Sequence, residues 1–130
     1  MPAPMSANAF PHLHGHAYMA LTTYRKSGAP VSTPVWFAQV DDRVYMITEP
    51  TAGKLKRLRN NPKVDVAPSS VRGKPVGPSA PALARELTVE AERQAADAAL
   101  SKKYGIQKTL FQLLWKVQRI TPAFIEISPT

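Results

Sequence analysis

"HAYMALTTYRKSGAPVSTPVWFAQVDDRVYMITEP", residues 16–50, decides the fold. β-branched and aromatic residues mix with apolar ones from about His16 to Tyr24, which predicts a first strand. Ser27-Gly28 and Pro30 punctuate a turn. A second strand runs from about Val31 to Val40, Asp41-Asp42-Arg43 turns the chain, and a third strand follows at Val44 to Thr48. Consecutive strands joined by such short turns pair antiparallel, so the stretch reads as a three-strand meander. Pro34 lies inside the second strand. It cannot donate to a ladder, so it marks an edge, a bulge or a place where the backbone faces something else.

Working outward, "TAGKLKRLRNNPKV" (residues 51–64) places Leu55 and Leu58 at i and i+3, the narrow stripe of a short helix that ends at Asn60-Asn61 before Pro62. "KVDVAP" (63–68) alternates and reads as a fourth strand. "SSVRGKPVGPSA" (69–80) is a hairpin tip or a mobile loop, and "ALARELTV" (82–89) is the returning strand. A long helix follows. Thr88 is its expected N-cap, Glu90 and Glu92 suit its positive end, Lys102 and Lys103 its negative end, and Gly105 the C′ position. A further helix over Ile106–Val117 has a broad apolar face of Leu110, Phe111, Leu113, Leu114 and Trp115. "AFIEISP" (123–129) closes the chain as a sixth strand. The order β-β-β-α-β-β-α-α-β predicts a small, mostly antiparallel barrel decorated by helices.

Composition narrows the function. The 130 residues suit one domain, expected over 10–130, after a short, poorly ordered arm at 1–9. A hydrophobic content of 44% excludes a disordered tail. The formal net charge of +8 favours anionic partners without naming their class. The lack of cysteine excludes disulfides, thiolate metal sites and cysteine catalysis, and cytoplasmic residence fits. No run of about 18 apolar residues is present to form a membrane span. The start, "MPAPMSANAF", lacks the basic and long apolar segments of a secretory signal.

Five cations, Lys54, Lys56, Arg57, Arg59 and Lys63, stand in residues 51–64 with no acid. A solvated helix face is the default meaning of such a run. The placement adds a second meaning. A strand end at Thr48 leads to Thr51, Gly53 and a helix start, where free N–H groups and the positive dipole end bind phosphate. Lys54 and Arg57, at i and i+3, share one side. Nucleic acid would call for aromatics interleaved with the cations, and this helix has none. "HLHGH" (His12, His14, His16) would line up three imidazoles on a strand, or form a polar entry to the first strand. In "STPVWF", Val35, Trp36 and Phe37 are either core or a pocket wall beside Pro34, with the N–H groups of Val35 and Trp36 facing a flat ring. There is no carboxylate pair or Ser-His-Asp set, so no catalytic side chain is assigned, and an enzyme here would rely on a cofactor.

T-T-x-R-x-x-G-x-P-V-S-T-P-V-W-F, G-K-x-K-R-L-R-x-N-P and V-x-V-A-P-x-x-x-R-G-x-P-x-G, all within residues 20–78, together resemble the pyridoxamine-phosphate-oxidase-like split-barrel proteins. More closely, they resemble the actinobacterial branch that uses the deazaflavin coenzyme F-420. The resemblance extends from about Phe10 to Ile127. It implies a six-stranded split β-barrel, a homodimer with cofactor grooves at its interface, and hydride transfer from reduced deazaflavin to an electron-poor small-molecule substrate. FMN on the same fold, or a non-catalytic cofactor-binding module, are the alternatives. The resemblance further implies that Ser32, Thr33, Pro34, Val35 and Trp36 flank the ring. Thr48, Thr51, Gly53, Lys54, Lys56 and Arg57 would cradle the phosphate, with Lys54 the best match. Ala67, Pro68, Arg72 and Lys74 would line the groove or meet the anionic tail.

Overall fold

The computed structural model describes residues 10–119 and 121–130. The arm expected at 1–9 lies outside this range, as does the side chain of Phe111. Six strands form: β1 (Tyr18–Tyr24), β2 (Pro30–Val40), β3 (Arg43–Thr48), β4 (Lys63–Ser69), β5 (Ala80–Glu86) and β6 (Ala123–Pro129). Three helices join them: α1 (Gly53–Asn60), α2 (Glu90–Tyr104) and α3 (Ile106–Val117). The strands pair antiparallel in the order β1-β2-β3-β6-β5-β4, and β4 pairs back onto β1 to close a barrel. The expected six-stranded barrel is thus the observed one.

The alternation read from the sequence explains the interior. Met19 and Leu21, Val35 and Phe37, Val44 and Met46, Val64 and Val66, Ala82 and Ala84, Ile125 and Ile127 are spaced by two on their strands and join one buried cluster. Leu55 and Leu58 of α1 join it as well. Burying a leucine of this kind contributes about 1.5–3 kcal/mol. A second cluster lies outside the barrel wall, where Ala38 and Phe124 pack against Leu87, Ala96 and Leu100. It holds α2 on the outer side of β2, β3 and β6. No described helix is long and apolar enough to cross a membrane.

Three local expectations need correction. Val89, not Thr88, occupies the N-cap of α2, and no side chain caps the helix. The backbone explains this: Leu87 N–H is pinned to Phe124 O at 2.8 Å, and the helical bond from Arg93 N–H goes to Val89 O at 3.0 Å. The histidines do not alternate on a strand, because β1 starts at Tyr18 and Pro11–Leu13 form a 3-10 turn. His12 Nε2 instead lies 3.1 Å from Val66 O. Finally, β5 is shifted towards the N-terminus relative to 82–89, and residues 69–80 are a hairpin tip. The tip is tied by Ser70 N–H to Lys74 O (2.9 Å), Val76 N–H to Pro68 O (2.9 Å) and a bridge between Ser69 and Pro75.

Candidate functional site

β2 pairs with β1 from Pro30 to Trp36 but with β3 only from Phe37 to Val40. Ile47 and Thr48 of β3 pair instead with β6 alone. The barrel wall therefore splits between Val35-Trp36 on one side and Ile47-Thr48 on the other. Tyr104, at the end of α2, marks one end of the split. The rung after Tyr18↔Trp36 would pair Ala17 with Phe37. The Tyr104 hydroxyl stands there, accepting from Phe37 N–H at 2.8 Å, with its one proton placed to go to Ala17 O (2.7 Å) or Phe37 O (2.8 Å). Burial pushes this phenol above its ordinary pKa, so it stays a donor. Its ring stacks on Trp36, with centroids 4.5 Å apart and planes 10° from parallel.

Tyr104 also fixes the sense of the ladder. Phe37 turns its peptide groups towards β1, and successive residues alternate. Pro34 therefore presents its missing N–H to the edge that β3 has left, where no ladder bond is lost. Of the two N–H groups expected to face a ring, that of Trp36 turns to the opening and that of Val35 turns to β1.

A cavity of about 470 Å³ fills the split. Pro34, Val35, Trp36, Thr48 and Lys54, five of the residues singled out from the sequence, line it. Ile47, Glu49 and Ala52 continue the same wall, Tyr18 comes from β1, and Lys108, Gln112 and Trp115 come from α3. The volume falls in the range of small-molecule and cofactor sites. Lys54 is half-buried at the start of α1. Burial holds its ammonium below the ordinary lysine value, and the like charge of Arg57 adds to this, while Glu49 opposes it. An anion in the cavity would relieve both effects.

Arg57 is engaged elsewhere. Its Nε–H donates to the hydroxyl of buried Thr23 at 2.7 Å, tying α1 to β1. A Cβ on Gly53 would stand 2.8 Å from Arg57 Nη1, so the glycine leaves room for the guanidinium to fold back over the helix start. Thr51, Gly53, Lys56 and Arg57 do not line the cavity, although all lie in or beside α1. Ser32 is exposed on β2. Thr33 points inward with its hydroxyl buried and without a hydrogen-bond partner among the described residues. Ala67 and Pro68 are buried in β4 opposite Ala20 and Met19. Arg72 and Lys74 are exposed on the hairpin tip, which reaches the site through Gly73: at φ +89°, a Cβ there would stand 3.1 Å from Pro34 Cδ. The sequence reading missed Tyr18, Lys108, Gln112 and Trp115. A lysine interrupting the apolar pattern of α3 was the available signal for Lys108.

Chemically, the cavity offers a flat aromatic wall (Trp36), apolar sides (Val35, Ile47) and one cation at a helix start (Lys54). That set suits a planar ring carrying a phosphate. Among the described residues, no group of three His, Asp or Glu side chains could hold a metal ion.

Comparisons with known proteins agree with this architecture. The family model described as pyridoxamine 5′-phosphate oxidase matches residues 6–119. No curated protein matches the chain. Among solved structures, the heme storage protein HutZ from Vibrio cholerae is similar with a TM-score of 0.70 at 15% identity, covering 92% of this chain and 85% of that one. A FAD-binding protein from Mesorhizobium loti gives 0.64 at 18% identity, covering 91% and 82%. A conserved hypothetical protein from Mycobacterium tuberculosis gives 0.68 at 17%, covering 91% and 76%. At these identities the likeness speaks for the fold.

Proposed function

The chain belongs to the pyridoxamine 5′-phosphate oxidase family, and from that premise we propose that it is an oxidoreductase built around a planar, phosphate-bearing redox coenzyme. Within that class the proposed coenzyme is the deazaflavin F-420. The observation that carries the reading is the split between β2 and β3, where Trp36 and Lys54 wall one cavity. The motif resemblance and the net charge of +8 favour the longer, more acidic deazaflavin. FMN is the second reading, favoured by the family and by the fold likeness to a FAD-binding protein. A module that binds without turnover is a third, favoured by the likeness to a heme storage protein.

In this reading Lys54 takes the phosphate, with the N–H groups at the start of α1 beside it. Pro34, Val35 and Trp36 flank the ring. Ser32, Thr33, Thr48, Thr51, Gly53, Lys56, Arg57, Ala67, Pro68 and Arg72 remain candidates around these anchors. Arg57 acts there by holding α1 in place through Thr23. When bound, the reduced coenzyme would supply a hydride to one carbon of an electron-poor C=C bond. Water would supply the proton for the other carbon, so the acceptor would gain two electrons and be saturated. The chain orients the two partners.

A second copy of the chain is the proposed partner. The apolar face of α3 stands open, with Leu110 and Leu114 beside Trp36 and Tyr18, and a contiguous exposed face of this kind asks for cover. The cysteine-free composition fits work in the cytoplasm. Equilibrium titration with F-420 and with FMN, side by side, tests the proposal. Tighter binding of F-420, with oxidation of its reduced form by conjugated alkenes, is the expected result. Binding of neither overturns it.

A further inference from the structure

Lys108 is the one buried charged side chain among the described residues, at 2% exposure. Lysine is almost never enclosed in this way without a reason. It sits on α3, a helix that leaves Ile106, Leu110, Leu113, Leu114 and Val117 in solvent. It also lines the central cavity, together with Gln112. Its recorded partner is Asp97 of α2, whose Oδ1 accepts from Lys108 Nζ and, at 3.0 Å, from Gln112 Nε2. Asp97 is 41% exposed, so the acid is solvated while the ammonium is not. An ammonium has three donors, and Asp97 takes one. The cavity that it lines has apolar and aromatic walls, Ile47, Trp36 and Trp115, together with the polar and charged Tyr18, Thr48, Glu49 and Lys54. An ion pair of this kind is a poor device for stability. It is a good device for holding a cation at a cavity wall, ready for an incoming oxygen.

We propose that Lys108 is a second anion-recognising residue of this cavity, distinct from the phosphate-binding Lys54, and that it binds the carboxylate or carbonyl oxygen of a planar, conjugated acceptor, with Asp97 and Gln112 as positioning residues. The inference rests on the cavity being the planar-ligand site described above, but not on the identity of the coenzyme. It names the acceptor class: α,β-unsaturated acids and ketones. When hydride adds to the carbon β to the carbonyl, the π pair moves towards the carbonyl oxygen, and a proton from water then goes to the α carbon. An ammonium beside that oxygen meets the charge as it develops. The two cations stand on different helices, α1 and α3, so the phosphate and the acceptor oxygen need not compete for one seat.

The test uses the full chain without coenzyme, reading tryptophan fluorescence as cinnamate or its uncharged analogue cinnamamide is added. Cinnamate should bind about tenfold more tightly, the scale of one hydrogen bond to a charged group. Lys108→Met should abolish that preference, Lys108→Arg should keep it, and Lys54→Ala should leave it intact. If Lys108→Met does not fold, as judged by its thermal melt, Lys108→Gln is read in the same way. Equal binding of acid and amide by the natural chain overturns the inference, as does a preference that survives Lys108→Met or disappears with Lys54→Ala. A chain that binds neither F-420 nor FMN but keeps the Lys108-dependent preference sinks the coenzyme reading and supports this one. A chain that binds a coenzyme but shows no preference does the reverse.

Discussion

α1 and α3 are both short helices with leucines and cations, yet the chain treats them differently. α1 rests on β1 and β5, and its two leucines complete the barrel interior. α3 is the more apolar helix, but its neighbour is α2, and Ile106 is 75% exposed. Apolar residues at helical spacing say that a face wants cover, and nothing about which molecule provides it. The cations divide in the opposite sense. Lys54 on the helix docked to the barrel stays half-open at the cavity, whereas Lys108 on the exposed helix is enclosed.

Substitutions can break this comparison or sharpen it. The largest effect is expected for Leu55→Ala, which should lower unfolding free energy by about 2–5 kcal/mol in urea. Leu113→Ala should change monomer stability by no more than about 0.5 kcal/mol. Equal losses, at dilutions where the protein sediments as a monomer, would erase the contrast. Next, Lys54→Ala should weaken F-420 or FMN binding by about 1.5–3 kcal/mol, and an unchanged titration would remove Lys54 from the site. Arg57→Ala should act on folding instead. Leaving the Thr23 hydroxyl buried without its guanidinium donor should cost about 1–3 kcal/mol of stability, whereas a purely ligand-binding arginine would leave the urea midpoint unmoved.

The smallest effect expected is one of pH. In the empty cavity Lys54 loses its proton below the ordinary lysine value of 10.5. A bound phosphate holds that proton, so the bound-state pKa is higher than the free-state one. Affinity for FMN should therefore decline as pH rises through the free-state pKa, which lies below the ordinary lysine value, and affinity for phosphate-free riboflavin should not. A parallel decline for both would assign the titration to another group.

The barrel was legible because its signals are local. Alternating residues in β1 to β4, the Ser27-Gly28 turn and the Asp41-Asp42 turn can each be read from a short window. Part of the cavity was legible for the same reason: Pro34, Val35 and Trp36 share a strand, and Thr48 and Lys54 flank one turn. The rest was not. Lys108, Gln112 and Trp115 reach the cavity only because α2 docks on the outer wall and turns the chain back at Gly105. Helical spacing also put Arg57 beside Lys54, yet the space over Gly53 sends its guanidinium to Thr23. Spacing describes a face of a helix, and long side chains leave that face when a buried partner is within reach.

The split wall has a consequence for solubility. A strand that loses its neighbour offers a row of peptide groups on which another chain could add a strand. At Ser32 and Pro34 β2 has no β3 residue beside it, and Pro34 removes a donor on that side. The stacked rings of Trp36 and Tyr104 add bulk at one end, and the Gly73 turn lies against Pro34. The opening in the wall is thereby kept from templating aggregation, and the proline beside the cavity also guards it.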